Sequence, residues 1–165
     1  MTGKIFMSEM RQLGVFGVVL TLTLLAGCAG NPPLETQDTS NEADLSIERV
    51  LVITAAKDAL GTPYRYGGTT PHGLDCSGLT QLSYRAAGID IPRTSQQQFD
   101  TLPKRDKARP GDLLFFGPGG ISHVGIYIGH NQMIHAPGSG RTVSVSNITK
   151  RYWRSHYRGA AAPAP

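Results

Sequence analysis

One cysteine and two histidines are the side chains of this sequence best suited to covalent chemistry. Cys76 stands at the predicted start of a helix, where unpaired backbone N–H groups and the helix dipole stabilise a thiolate. The thiolate is the nucleophilic form of cysteine. His123 and His135 follow in strand-like segments and could take up the thiol proton. This combination predicts a cysteine hydrolase.

Each of these residues also has a simpler interpretation. A lone cysteine is commonly a small buried hydrophobic residue, and Asp75 is well placed to cap the helix without taking part in chemistry. Cys76, His123 and His135 could instead bind zinc. The sequence contains no close-spaced ligand pair of the CxxC or HxxxH kind, which weighs against a zinc site.

A basic start and an apolar run predict that the chain is exported. Lys4 and Arg11 precede a run from Leu13 to Leu25, and this run is shorter than the about 20 apolar residues that span a bilayer. Such a pattern is typical of a signal peptide. The alternative is an apolar helix packed against the rest of the protein.

Cys28 predicts a lipid anchor. The segment Leu25-Ala26-Gly27-Cys28 resembles a bacterial lipobox. We therefore expect residues 1–27 to be a lipoprotein signal peptide and the Cys28 thiol to carry lipid, with palmitate among the attached chains. Ala29 stands where an Asp would resemble an inner-membrane retention signal. The expected location is the outer membrane, facing the periplasm, and an ordinary secretory signal is the alternative.

Composition divides the exported part into a tether and one domain. Residues 28–44 are rich in Pro, Thr, Asn and acidic residues, which predicts a flexible tether. The predicted domain covers residues 45–159 and a C-terminal tail covers 160–165.

The chain has 16 Lys and Arg against 12 Asp and Glu, a net charge of +4. A basic protein could bind nucleic acid, but export removes nucleic acid as a partner. A membrane, reached through the lipid, is an expected partner, and a monomer is expected. Most basic residues are expected to be solvated surface, with attraction to an anionic wall polymer as the lesser alternative.

Periodicity and capping residues predict three helices in the first half of the domain, over residues 46–60, over 76–87 and from Thr94 or Ser95 onward. Asp75 caps the second helix and Gly88 ends it, and Gln97 or Gln98 completes a capping box in the third. The residues expected to face the core are Ile47, Val50, Leu51, Thr54 and Ala55 in the first helix and Leu79, Leu82 and Ala86 in the second.

The second half of the domain reads as strands. Alternation and turn residues predict them over 113–116, 123–128, 133–136, 142–148 and 152–157. Helices followed by strands predict an α+β fold, with the N-terminal helices packed on an antiparallel sheet of five to six strands.

Alternation also predicts where the two histidines point. In the strand over 123–128, Val124 and Ile126 face the packed side and His123 faces the other side. His135 shares the face of His123 only if the hairpin between them has an odd-numbered loop or a bulge. A three-residue loop would pair Gly125 with His135 and place His123 one diagonal step away, about 7–8 Å at the backbone. We therefore expect an odd-numbered loop.

Several short motifs follow one another along the domain. They are Tyr64-Arg65-Tyr66-Gly67-Gly68, Gly73-Leu74-Asp75-Cys76-Ser77-Gly78-Leu79, Pro92-Arg93-Thr94-Ser95, Arg109-Pro110-Gly111-Asp112-Leu113-Leu114-Phe115-Phe116, His123-Val124-Gly125-Ile126-Tyr127 and His135-Ala136. In this order they resemble the NlpC family of papain-like bacterial cell-wall peptidases, over about residues 47–158. The resemblance implies a papain-like fold and no metal or organic cofactor.

The same resemblance implies a role for each site residue. Cys76 matches the nucleophile, His123 the general base, and His135 the polar residue that orients the base. Tyr64 matches a tyrosine whose hydroxyl lies near the thiol and could support the oxyanion. The residues expected to bind substrate are Asp75, Ser77, Arg93 and Ser95. The implied substrate is the peptide stem of peptidoglycan, often cut at the bond from D-glutamate to a diamino acid, as by a murein DL-endopeptidase.

Two other functions fit the same residues. A non-catalytic wall-binding lipoprotein would use the cleft as a receptor, although a binder has no need of a nucleophile beside a base. An amidase or acyltransferase on the same scaffold would share the thiolate and differ in the bond or the acceptor.

Overall fold

Three of the four helices precede the main strands along the domain, as predicted. A computed structural model of the chain describes residues 45–163, so the predicted signal peptide, Cys28 and the tether lie outside the described residues. The helices are α1 (Ile47–Asp58), α2 (Cys76–Ala86), α3 (Ser95–Thr101) and α4 (Arg151–His156). The strands are β1 (Thr69–Thr70), β2 (Gly73–Leu74), β3 (Lys104–Arg105), β4 (Leu113–Phe116), β5 (His123–Gly129), β6 (Gln132–His135), β7 (Ser144–Asn147) and β8 (Tyr157–Ala161). Within residues 45–163, none of these helices has the length and apolar character needed to cross a membrane.

Six strands form one antiparallel sheet in the order β3-β8-β4-β5-β6-β7. The predicted α+β fold, with five to six antiparallel strands and helices packed on them, is confirmed. Because strand side chains alternate, β4 supplies Leu113 and Phe115 to one face and Leu114 and Phe116 to the other. The first face packs against α1 and α2, and the second packs against Trp153 of α4.

Helix α1 buries a different face from the predicted one. Its buried residues are Arg49, Val52, Ile53 and Ala56, whereas Ile47 is 76% exposed and Val50 and Leu51 are 44% and 41% exposed. In α2, Leu79 is buried as predicted, Ala86 is exposed and Leu82 is partly buried. Helical periodicity alone misplaced the buried face of α1 because a buried arginine belongs to it.

That arginine joins α1 to the start of β4. Arg49 Nη1 lies 2.7 Å from Asp112 Oδ1 and donates a hydrogen bond to the Pro110 carbonyl at 2.7 Å. Tyr84 of α2 donates its hydroxyl proton to the Gly111 carbonyl at 2.6 Å. Gly111 has φ +93°, and an added Cβ would lie 3.3 Å from Arg49 side-chain atoms, so a glycine suits this turn. The segment Arg109–Asp112 therefore fixes both helices to the sheet.

The end of the domain differs from the prediction. Residues 152–157 were predicted as a strand, but Arg151–His156 form α4, and the strand that follows, Tyr157–Ala161, lies between β3 and β4. Ala160, Ala161 and Ala162 are buried, so the predicted domain end at residue 159 is too early and the predicted tail, 160–165, begins inside the core. Alanine and glycine have low intrinsic strand propensity, and the pairing with β4 is what makes this segment a strand.

Candidate active site

Cys76 is the first residue of α2, as predicted. Asp75 caps this helix by accepting a hydrogen bond from the Gly78 N–H at 2.6 Å. The Gly68 carbonyl approaches so closely that a Cβ on Gly78 would lie 2.0 Å from its oxygen, so only glycine fits there. This packing of the preceding loop onto the first turn holds Cys76 at the helix start, partly exposed to solvent.

Arg93 holds the Asp75 carboxylate from the other side. Arg93 Nη2 donates to Asp75 Oδ2 at 2.6 Å and Nη1 donates to Asp75 Oδ1 at 3.0 Å. Arg93 Nη1 also donates to Ser77 Oγ at 2.8 Å, and the Ser77 hydroxyl donates to Asp75 Oδ1 at 3.2 Å. Burial alone would raise the pKa of Asp75, but the hydrogen bonds from Arg93, Gly78 and Ser77 outweigh it and lower that pKa. The group therefore stays ionised and orders the start of α2.

These contacts change the roles predicted for the substrate-binding residues. Asp75 and Ser77 are buried and are engaged with each other and with Arg93, so their side chains support the helix start. Ser95 lies in the first turn of α3, whose capping box is made by Thr94 and Gln97 as predicted. Ser95 is not among the residues that line the cavity beside the two histidines.

The start of β5 contacts the Cys76 thiol. The backbone groups of Val124, the residue after His123, and of Ser77 and Cys76 itself lie near enough to the sulfur to lower the pKa of the thiol. Tyr64 lies within electrostatic range of the thiol: burial raises the pKa of Tyr64, and the negative charge of Cys76 in its thiolate form adds to that effect. The structure therefore brings the predicted nucleophile, the strand of the predicted base, and the predicted oxyanion tyrosine to one place.

The pKa of the thiol is shifted in the direction opposite to the prediction. Burial raises the pKa of Cys76, and the backbone hydrogen bonds only partly offset this effect. Burial, with a further contribution from Arg141, lowers the pKa of His123 to about 4. The helix N-terminus was expected to favour the thiolate, but desolvation disfavours any charged form. In the free protein both groups are therefore neutral at pH 7.

A bulge places the two histidines on one face of the sheet. The turn after β5 consists of His130 and Asn131, both with positive φ (48° and 57°), so it has two residues and the expected odd-numbered loop is wrong. The register shifts between Tyr127 and Gly129, however, and Ile126 pairs with Ile134. This bulge is the alternative that the geometry allowed. It returns His135 to the face of the sheet that carries His123. Gly125 has no side chain to crowd His135 on this face, where an added Cβ would lie 3.2 Å from the His135 Cβ.

The two imidazoles are joined directly by a hydrogen bond. His123 Nε2 and His135 Nδ1 are 2.8 Å apart, and His135 Nε2 lies 2.9 Å from Ser146 Oγ on β7. If His123 donates from Nε2, its Nδ1 is left with the lone pair that a base needs. His135 then accepts at Nδ1 and donates from Nε2 to the Ser146 oxygen. Sequence reasoning missed Ser146, which only the pairing of β6 with β7 reveals.

Trp153 is a second residue that sequence reasoning missed. Its ring is stacked on His123 at a centroid distance of 5.5 Å and meets His135 edge-on at 5.0 Å. It also packs edge-on against Phe116 at 4.9 Å. Because residues 152–157 were predicted as a strand, nothing indicated that the indole would lie over the imidazoles. It covers both rings and contributes to the desolvation that keeps them neutral.

A cavity of about 610 Å³ opens beside the histidines. Its lining residues are Ser122, His123, His135, Pro137, Arg141, Ser144, Ser146, Tyr152 and Trp153. Burial, then the neighbouring His123 and Arg141, lower the pKa of His135 to about 3. Within residues 45–163 there is no group of three or more His, Cys, Asp or Glu side chains arranged to hold a metal ion, so the zinc alternative has no ligand set in this part of the chain.

Alkylation of Cys76 by iodoacetamide is expected to be slow at about pH 7 and to accelerate about tenfold per pH unit up to and beyond the usual thiol pKa of about 8.5. The reason is that the reagent reacts with the thiolate and burial raises the pKa of Cys76. The measurement uses protein with Cys28→Ala, so that one thiol reacts. A rate already at its plateau at about pH 6 would reveal a preformed thiolate–imidazolium pair and contradict this prediction.

Comparisons with known proteins show the family of this chain. Residues 61–162 match the model of the NlpC/P60 family. Murein DD-endopeptidase MepH of Escherichia coli is 39% identical over 110 residues, which are 61% of this chain and 41% of that protein. The probable endopeptidase NlpC of the same organism is 38% identical over 154 residues, which are 85% of this chain and 93% of that protein.

A solved structure has the same fold. The crystal structure of an NlpC/P60 family protein from Bacillus cereus superposes with a TM-score of 0.68 at 37% sequence identity, covering 71% of this chain and 40% of that one. The chain thus spans about two fifths of the length of MepH and of the Bacillus cereus protein, and nearly all of NlpC. The chain belongs to the NlpC/P60 family.

Proposed function

We propose that this protein is a cysteine endopeptidase that hydrolyses the peptide stems of peptidoglycan. The observation that carries this proposal is the series of hydrogen bonds that links His123 to His135 and His135 to Ser146. His123 begins β5, the strand whose backbone at Val124 lies near the Cys76 sulfur. A histidine held by a second polar residue beside a thiol is the arrangement of a cysteine hydrolase. The names of MepH and NlpC as endopeptidases support the same reaction.

In the proposed reaction the Cys76 thiol gives its proton to His123 Nδ1 as the sulfur attacks the carbonyl carbon of the scissile amide. Because burial raises the pKa of Cys76 and lowers that of His123, the reaction starts from the neutral thiol and the neutral imidazole. The backbone N–H of Cys76, and the Tyr64 hydroxyl, stabilise the oxyanion; one such donor typically contributes about 10²–10³ in rate. His123 then protonates the leaving amine. Water, deprotonated by His123, finally cleaves the thioester and restores the thiol.

Two bonds of the stem are candidates. The resemblance to the NlpC family favours the bond from D-glutamate to the diamino acid, whereas MepH is named a DD-endopeptidase. We expect the protein to cut purified peptidoglycan and soluble muropeptides. Mass analysis of the fragments identifies the bond: cleavage after D-glutamate shortens the stem, and cleavage at a DD bond separates cross-linked stems without shortening the donor. New sugar ends would instead indicate an activity outside this proposal.

The same experiment separates the remaining alternatives. A non-catalytic wall-binding protein would retain muropeptides without producing fragments. An amidase would release the intact stem from the sugar, and an acyltransferase would yield new peptide adducts when an amine acceptor is supplied. The presence of Cys76 beside the strand of His123 favours hydrolysis over binding alone, because a receptor gains nothing from a nucleophile.

We further propose that the mature protein is an outer-membrane lipoprotein, anchored through acylated Cys28 and facing the periplasm as a monomer. The lipobox-like segment ending at Cys28 supports this. Cells grown with labelled palmitate should label the protein and place it in the outer-membrane fraction. Cys28→Ala should remove the label, and Cys76→Ala, the matched control, should keep it. Label retained on Cys28→Ala, or wild-type protein recovered from the soluble periplasm, would contradict the anchor.

A further inference from the structure

A fixed positive charge stands in the cavity beside the two histidines. Of the residues within 45–163 that line this cavity, Arg141 alone carries a permanent charge and none is acidic. Hydroxyl groups of Ser144, Ser146 and Tyr152 make up much of the remaining polar lining. A cavity with one guanidinium, several hydroxyls and no carboxylate is suited to an anionic ligand.

The donors of Arg141 are available to such a ligand. Its one side-chain hydrogen bond among the described residues is a long one, 3.4 Å from Nη2 to the Pro137 carbonyl, and within residues 45–163 it forms no ion pair. The side chain is exposed. The guanidinium of Arg93 is occupied by Asp75, whereas that of Arg141 makes only this one long bond within the described part of the chain. It can therefore offer two N–H groups to the two oxygens of a carboxylate.

The backbone of Arg141 is nevertheless held in place. The Tyr64 N–H donates to the Arg141 carbonyl at 2.8 Å, and the Arg141 N–H donates to the Gly138 carbonyl at 3.2 Å. Pro63 and Thr142 form a β-bridge next to these bonds. The loop that carries Arg141 is thus tied to the segment containing Tyr64, which itself lies near Cys76. Arg141 is therefore positioned with respect to the reacting atoms.

Arg141 also acts on the histidines electrostatically. After burial, its charge is a further cause of the lowered pKa of His123, and it adds to the same effect on His135. In the proposed reaction His123 must hold a second proton, and a nearby uncompensated cation makes this costlier. An anion bound to Arg141 would offset that repulsion at the moment when the imidazolium forms.

We propose that Arg141 binds a carboxylate of the stem peptide in this cavity. The substrate then supplies a negative charge beside His123, where no acidic side chain of the described residues lines the cavity. This inference rests on the proposed peptidoglycan endopeptidase function. The stem contains free carboxylates on its D-glutamate and diamino acid residues and at its C-terminus. A carboxylate seated on Arg141 orients the stem through two parallel hydrogen bonds, and it favours proton uptake by His123.

The test measures binding in protein that carries Cys76→Ala, so that no peptide is consumed. Calorimetry compares a stem peptide with free carboxylates against peptides in which each carboxylate in turn is amidated. Amidation at one position is expected to weaken binding about 10- to 100-fold, the range for a hydrogen-bonded charge. Arg141→Gln should weaken binding of the free peptide by a similar factor and leave the affinity for that amidated peptide unchanged. Arg141→Lys should retain part of the affinity.

Arg85→Gln serves as the matched control, because Arg85 is exposed on α2, pairs only loosely with Asp90 at 3.7 Å, and does not line the cavity. It should bind all the peptides as the Cys76→Ala parent does. Equal affinity of Arg141→Gln and its parent for the free peptide would overturn the carboxylate site while leaving the endopeptidase function standing. Failure of the Cys76→Ala protein to bind any stem peptide would overturn both.

Discussion

Cys76→Ala is expected to abolish the hydrolysis of muropeptides and to leave the fold intact. Removal of a nucleophile in a comparable hydrolase costs on the order of 10⁶-fold in rate, which is below detection in a digestion followed by chromatography. The fold should survive because the cap of α2 is made by Asp75, Gly78 and Arg93, none of which needs the sulfur. The thermal unfolding midpoint should therefore stay close to that of the wild type.

Cys76→Ser is the matched variant for this prediction. A serine hydroxyl keeps a polar group of similar size, but its proton is far harder to remove, and His123 with a pKa of about 4 is a weak base for that task. We expect Cys76→Ser to be as inactive as Cys76→Ala. Fragment release by Cys76→Ala at the wild-type rate would show that another group is the nucleophile, and the endopeptidase mechanism would fail.

Elements defined by local signals were predictable from the sequence. The start of α2 follows from Asp75, whose side chain bonds the Gly78 N–H, and its end follows from Gly88, which has φ +73°. The capping box of α3 was readable from Thr94 and Gln97. In each case the residues that decide the structure lie within a few positions of one another, so no knowledge of the fold was needed.

Elements that depend on distant partners were not predictable. The buried face of α1 is chosen by Arg49, whose partners Pro110 and Asp112 belong to the turn before β4. The final strand contains Gly159, Ala160 and Ala161, which have low strand propensity, and it forms because Leu113–Phe116 pair with it. Helical and alternating patterns describe one segment at a time, and neither contains these long-range contacts.

The candidate site also combines features that the sequence predicts with features that depend on distant contacts. The identity of Cys76 and of both histidines was readable, since few residue types can perform this chemistry. The direction in which the thiol pKa shifts could not be predicted, because it depends on how deeply tertiary packing buries the sulfur. Trp153 and Ser146 were missed for a related reason: each reaches His135 from another element, and its position in the sequence says nothing of that contact.

Several motif residues form ion pairs that support the architecture. Arg93 binds Asp75, and Asp112 binds Arg49; both pairs fix the helices that place Cys76. The Arg49–Asp112 pair is buried, and removing one partner of such a pair typically costs about 3–5 kcal/mol. Loss of activity in a variant of Arg93 or Asp112 would therefore reflect a displaced helix. A catalytic role can be assigned only where the fold is shown to persist.

His123→Ala is expected to reduce kcat by on the order of 10⁴-fold or more, because no other side chain in the described site is placed to move the thiol proton. His135→Ala should cost less, about 10- to 100-fold, since it removes one hydrogen bond that orients His123. Ser146→Ala should cost less again, because it acts on His123 only through His135. Steady-state kinetics on a soluble muropeptide gives the three values.

The tautomer of His123 separates orientation from simple structural damage. In Cys76→Ala protein, ¹⁵N chemical shifts should show His123 protonated at Nε2, since the proposed base needs a free Nδ1 and Nε2 lies 2.8 Å from His135 Nδ1. His135→Ala should leave His123 as a mixture of tautomers, and His135→Asn, which keeps an acceptor, should restore the Nε2 form and part of the activity. Equal and complete loss of activity in His123→Ala and His135→Ala, with both proteins folded, would mean that His135 takes part in proton transfer itself. The ordering of His123, His135 and Ser146 by decreasing effect therefore decides whether the hydrogen-bonded series positions one base or acts as a unit.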